Sequence, residues 1–206
     1  METKRILSRI FSHPRVYEVQ RRLLGADRLN ARLTPLTARI AKGNPAGIIV
    51  DVGGGAGLSR SLWPEGWSYF SIDPDARAVN FREAGVKAER AVGDASDLPF
   101  PDGFADAVLM KEVSHHLDDE TWMRTLSEVR RILKSDGYFV FLDGVLTPRR
   151  WLSLVFWRFD VGRYPRAAND LESAISSRFE MVSVERFAAI HRCILMLSRK
   201  GNASTQ

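Results

Sequence analysis

The 206 residues are 45% apolar and 27% charged, which is the composition of a soluble globular protein of one large domain or two small ones. A chain of this length buries enough surface to need no staples, and its single cysteine, Cys193, excludes an internal disulfide or a cysteine-based zinc site. No apolar run approaches the roughly 20 residues that cross a bilayer. Arg9 interrupts the apolar stretch of Met1 to Phe11, so neither a membrane span nor a signal peptide is read there and a cytoplasmic location is expected.

The net charge of +5 is unevenly placed: residues 1–46 hold ten Lys/Arg against Glu2, Glu18 and Asp27, giving +7, and the rest of the chain sums to −2. Such a lead-in suits an anionic membrane surface or a nucleic acid, or simply a solvated helical face. Its periodicity is helical, with Ile6, Leu7, Ile10 and Phe11, then Val16, Val19, Leu23 and Leu24 after Pro14, and a further helix from about Leu29 to Ala41.

From Gly47 the pattern becomes strand and helix in alternation. Ile48 to Val52 reads as a buried strand ending in glycines, and Ser68 to Ile72 as a second ending at Asp73. Ala88 to Val92 forms a weaker third and Ala105 to Met110 a fourth. Glu120 to Leu133 is an amphipathic helix that stops before the Asp136-Gly137 turn, which leads into the strand Tyr138 to Leu142. Phe179 to Phe187 and Arg192 to Ser198 have no helix between them and are expected to pair as an antiparallel edge hairpin. The fold class that follows is α/β, a Rossmann-like three-layer sandwich whose seven-stranded sheet is mostly parallel. All 206 residues are read as one domain: basic helices over 1–46, a core over 47–144, an insertion over 145–168, then a helix and the hairpin over 169–200.

In such sheets ligands bind beyond the carboxyl ends of the strands. The first end reads Asp51-Val-Gly53-Gly54-Gly55-Ala56-Gly57, where glycines allow a sharp turn and a close backbone approach, and where Asp51 can hold either the loop or a ligand's amino group. It is not the dinucleotide fingerprint, because Leu58 stands where a small residue would be required. Asp73, followed by Pro74, is spaced to accept from both hydroxyls of a ribose, or else to form a turn or cap a helix. Asp94, followed by Ala95, offers an acceptor for an adenine amino group, with an N-cap as the alternative. Three acids at three consecutive strand ends favour a nucleoside.

The stretches IIVDVGGGAGLS, FSIDPD, AVGDASDLPFPDGFADAVLMKEVSHHLDD and LSEVRRILKSDGYFVFLD, in that order, resemble the class I S-adenosylmethionine-dependent methyltransferases, of the small kind that includes ubiquinone and menaquinone enzymes. The resemblance implies S-adenosylmethionine as cofactor. It brings Asp51, Gly53, Gly55 and Gly57 near the methionine part, Asp73 and Pro74 to the ribose, Asp94 and Ala95 to the adenine, and Lys111 and Glu112 beside the sulfonium. His115 and His116 stand where relatives carry a His-His-Leu sequence, so either is a candidate general base, or the pair is structural. No third ligand lies nearby in sequence, so no metal site is read.

The insertion Val145 to Ala168 interleaves Trp151, Phe156, Trp157 and Phe159 with Arg149, Arg150, Arg158, Arg163 and Arg166, a pattern suited to a flat ring, a lipid beside an anionic head, stacked nucleic-acid bases, or plain lid and core packing. Tyr17, Arg163 and Tyr164 are candidate pocket residues. The expected acceptor is a small or lipid-like molecule. RNA is disfavoured because Lys111-Glu112-Val113-Ser114 stands in place of an Asn/Asp-Pro-Pro-Tyr motif. A non-catalytic scaffold on the same fold is the remaining alternative.

Overall fold

The computed structural model describes residues 26–81, 85–146, 163–189 and 192–201. The helices expected before Gly25, Tyr17, and the insertion between 147 and 162 lie outside the described residues.

Seven strands form one sheet: β1 (Ile48–Val52), β2 (Ser68–Asp73), β3 (Glu89–Val92), β4 (Ala105–Lys111), β5 (Leu133–Gly144), β6 (Glu180–Ala188) and β7 (Arg192–Arg199). Their order is β3-β2-β1-β4-β5-β7-β6, with β7 antiparallel to both neighbours and every other pairing parallel. The expected edge hairpin is therefore present, with Phe141 opposite Met196 and Phe187 opposite Cys193. Strand β5 is longer than expected. Its pairing with β4 jumps from Ala105–Leu133 to Ala107–Tyr138, so the Asp136-Gly137 turn is an irregularity inside the strand and not its boundary.

Both faces of the sheet are covered, as the continuous apolar strands require. On one face, Val50, Val108, Met110, Phe139, Phe141 and Met196 pack under a helix we number α3 (Asp119–Ile132) and under α4 (Ala168–Ser176). Helix α3 is capped by Asp118, whose carboxylate accepts from Thr121 N at 2.8 Å. Its buried stripe is Trp122, Thr125, Leu126, Val129 and Ile132, each apolar member contributing about 1.5–3 kcal/mol by burial. On the other face, Ile49, Leu109, Val140, Leu142 and Leu195 pack against α1 (Ala26–Ala41) and the residues around Trp63 and Trp67. Helix α1 starts three residues before the expected Leu29 and tolerates Pro35 on its exposed side. The short α2 (Ala76–Asn80) follows β2.

Loops are tied down by guanidinium groups that each hold two main-chain carbonyls. Arg131 takes Phe100 O and Leu98 O (2.7 and 3.0 Å), and Arg166 takes Ser114 O and Leu117 O (2.7 and 2.9 Å). Arg60 takes Trp63 O and Glu65 O, Arg90 takes Ala56 O and Val86 O, and Arg130 takes Arg178 O and Lys200 O.

Candidate active site

The carboxyl ends of β1, β2 and β3 are stitched into one rim. Gly53 N donates to Ile72 O (2.7 Å), Gly93 N to Asp73 O (3.2 Å) and Gly55 N to Asp73 Oδ2 (3.0 Å). Gly53, Gly55 and Gly57 all have positive φ, at 73°, 53° and 75°. At Gly53 the requirement is also steric, because a Cβ would lie 2.3 Å from Val113 Cγ2. The loop runs into a tight turn of 310 type, Leu58–Leu62.

Asp51 lies beneath this loop. Only 1% of it is exposed, its carboxylate accepts from the Tyr69 hydroxyl, and a Cβ on Gly54 would lie 2.6 Å from its Oδ2. Its hydrogen bond thus runs sideways to β2, under the glycine loop. Burial pushes its carboxyl up to about 6, against the lowering effects of Tyr69, Lys111 and Ser59. Asp73 is half-buried. Its Oδ1 accepts from Asp75 N (2.8 Å) and its Oδ2 from Gly55, and burial raises its carboxyl despite these bonds. Each carboxylate oxygen retains further acceptor capacity. The helix cap after Pro74 is Asp75, which accepts from Arg77 N at 2.9 Å, so capping does not fall to Asp73. Asp94 is exposed and takes both the amide and hydroxyl of Ser96 on Oδ1 (2.8 and 2.9 Å), bonds that lower its carboxyl. Ala95 packs half-buried on the core under α3.

At the end of β4, Lys111 Nζ reaches Asn30 Oδ1 of α1 at 3.3 Å. Glu112 is the one non-glycine described residue with positive φ, 58°, and its amide donates to Leu142 O (2.7 Å). His115 is 7% exposed, and its Nδ1 lies 2.6 Å from Asp143 Oδ1 at the end of β5. Burial pushes the Asp143 carboxyl up, but the His115 charge and the bonds from His115, Ser114 and Gly144 outweigh it and hold the group below its ordinary value. An ionised carboxylate only accepts, so Nδ1 carries the hydrogen. Ser114 N and Oγ (2.8 and 2.5 Å) occupy Oδ2. His116 is exposed, its ring 4.2 Å from that of His115.

The structure thus gathers the glycine loop, Asp73 and Asp94 on one rim, and places His115 at the β4–β5 side with a partner, Asp143, that sequence reasoning missed. Tyr69, the partner of Asp51, was missed as well. Donor groups such as ribose hydroxyls and an exocyclic amine fit this rim chemically, since its two exposed or half-exposed carboxylates accept and the glycines leave no side chain in the way.

Residues 50–141 match a family model described as a methyltransferase domain. The fatty-acid O-methyltransferase of Mycolicibacterium smegmatis is 36% identical over 122 residues, 57% of this chain and 39% of that protein. The 2-methyl-6-phytyl-1,4-hydroquinone methyltransferase of Synechocystis is 31% identical over 125 residues, 58% of this chain and 39% of its own length. The matched stretch thus spans about two-fifths of each of these curated relatives. The crystal structure of the PH0226 protein from Pyrococcus horikoshii superposes with a TM-score of 0.70 at 19% identity, over 91% of this chain and 92% of that one, and so shares the fold.

Proposed function

We propose that this chain, whose residues 50–141 match a methyltransferase-domain model, moves a methyl group from S-adenosylmethionine to a small or lipid-like acceptor. The observation that carries this reading is the acceptor pair Asp73 and Asp94 on neighbouring strand ends, beside a glycine loop pinned to Asp73 itself. Asp73 would hold the ribose hydroxyls and Asp94 with Ala95 the adenine, while Gly53 and Gly55 let the main chain approach the methionine part. Lys111 and Glu112 would stand at the β4 end between cofactor and acceptor. When bound, the cofactor supplies a methyl already activated on a sulfonium, so the protein's work is alignment and exclusion of water.

Of the two histidines, His115 is the better base. Asp143 fixes the hydrogen on Nδ1, which leaves Nε2 as the basic end of the ring. An acceptor that must lose a proton would lose it there. The fatty-acid and hydroquinone acceptors in the names of the relatives support a lipid-like substrate. The charge of residues 1–46 supports docking on an anionic membrane surface, where such substrates reside, in preference to a nucleic acid. No helix among the described residues is long and apolar enough to cross a membrane.

Calorimetric titration with S-adenosylmethionine and S-adenosylhomocysteine tests the reading. Micromolar binding is expected, weakened about 10-fold or more in Asp73→Ala, whose thermal midpoint should fall because the Gly55 and Asp75 amides lose their acceptor, but which should remain folded at the temperature of the titration. Unchanged affinity in that variant would refute the ribose assignment. No binding at millimolar ligand by folded protein would leave a non-catalytic scaffold as the better account.

A further inference from the structure

A cavity of about 160 Å3 lies at the carboxyl end of β5, bounded by Val145, Leu146, Ala168, Phe187 and Cys193 with the two arginines Arg186 and Arg192. It adjoins the His115 pair through the main chain. Gly144 N donates to Asp143 Oδ1 (2.7 Å), and the next residue, Val145, donates to Arg192 O (2.8 Å). Cys193 stands opposite Gly144 in the sheet, and burial together with the charges of Glu112 and Asp143 pushes its thiol up to about 12. The cavity and the β4–β5 strand ends therefore share one electrostatic neighbourhood.

The two arginines belong to one face of the sheet. Residues 192, 194 and 196 of β7 alternate together, and Ile194 and Met196 lie in the core under α4. Arg186, opposite Ile194, reaches α4 as well, where Glu172 neutralises it and Asn169 accepts from it at 3.3 Å. The exposed Arg192 guanidinium makes no hydrogen bond or ion pair among the described residues. A largely apolar cavity thus carries at its edge a cation with no ion-pair partner among the described residues, which is the arrangement that recognises an amphiphile with a negative head. The charges of Glu112 and Asp143, which act on Cys193, disfavour an anion near the thiol, so the head is directed to Arg192.

We propose that this cavity binds the methyl acceptor, and that the acceptor is an apolar carboxylic acid whose carboxylate pairs with Arg192 while its apolar part lies along Val145, Leu146 and Ala168. The acceptor role rests on the methyltransferase reading; the binding site does not. Octanoate and octanol, equal in chain and different in charge, separate the contributions when titrated into the full chain by calorimetry. Octanoate is expected to bind the wild type about 10-fold or more tightly than octanol. Arg192→Gln should abolish that preference by weakening octanoate alone, and Arg192→Lys should retain part of it, because the charge survives while the two-pronged geometry is lost. Thermal midpoints should stay at the wild-type value, as Arg192 is exposed.

Equal binding of the two probes by the wild type, no binding of either, or an unchanged preference in Arg192→Gln would overturn the site. S-adenosylhomocysteine titrated into the same preparations keeps the two readings apart. If it binds and the octanoate preference is absent, the cavity proposal alone fails. If it does not bind and octanoate does, the acceptor role fails and the acid-binding site stands.

Discussion

Replacing Asp51 by asparagine should make the protein more stable relative to wild type as the pH rises. The Asp51 carboxyl is sealed under the glycine loop, and burial lifts its ionisation from 3.8 to about 6. The folded state therefore holds this proton more tightly than the unfolded chain does. Between roughly pH 4 and 6 the folded protein binds more protons there than the unfolded one, so stability falls as pH rises through that window. The cost is complete near pH 7 and amounts to about 3 kcal/mol. Asparagine keeps an oxygen for the Tyr69 hydroxyl and never ionises. Whatever constant penalty its amide hydrogens add, the difference between variant and wild type should shift by about 2.5 kcal/mol in the variant's favour between pH 4 and pH 7.5, since part of the linkage is already present at pH 4. Urea unfolding, followed by the fluorescence of Trp63 and Trp67 in the adjoining core, reads this directly, and the other titrating groups cancel in the comparison. A stability difference that stays constant across the range would refute the argument that Asp51 is forced to ionise in a closed site.

Gly53→Ala should cost about 3 kcal/mol or more, since its Cβ meets Val113 at 2.3 Å and its φ is 73°. Gly103→Ala, with a φ of 66° and nothing within 4 Å, should cost only about 1 kcal/mol. Equal losses in denaturant titrations would mean that the loop does not press on Val113. Asp143→Asn should destabilise by about 3 kcal/mol, because an amide must leave a donor facing the Ser114 amide and hydroxyl or abandon His115. The Asp143 carboxyl is held below its ordinary value, so this wild-type advantage is present above about pH 4 and shrinks below it. A variant as stable as wild type at neutral pH would show the pair to be dispensable.

The strands were readable where burial imposes a continuous apolar run. Ile48 to Val52 has the ends expected of it because both faces of β1 are covered. The start of β5 was not readable, because Asp136-Gly137 carries the local chemistry of a turn while pairing with β4 keeps the backbone extended around it. The strand-end positions of Asp73 and Asp94 were legible because a strand followed by polar or turn-forming residues is visible in a single stretch of chain. Asp143 was not. It closes an apolar strand and acquires meaning only through His115, 28 positions away in sequence. Tyr69 was hidden in the same way: it reads as one more buried strand residue, and its hydroxyl matters only because β1 and β2 lie side by side with Asp51 on the shared face. Arg192 likewise reads as a strand residue, and its lack of an ion pair among the described residues becomes visible only in the assembled sheet.

The guanidinium clamps bear on how the molecule meets charged surroundings. Five of the thirty basic residues, Arg60, Arg90, Arg130, Arg131 and Arg166, have their hydrogens committed to loop carbonyls, which takes them out of competition for phosphates. Lysine at any of these sites would preserve the isoelectric point and still loosen a loop, because an ammonium lacks the planar fork that spans two oxygens. Ionic strength should therefore act unequally on the protein. It should weaken attraction to anionic surfaces through the cations of residues 1–46 while leaving the half-buried loop ties nearly unchanged.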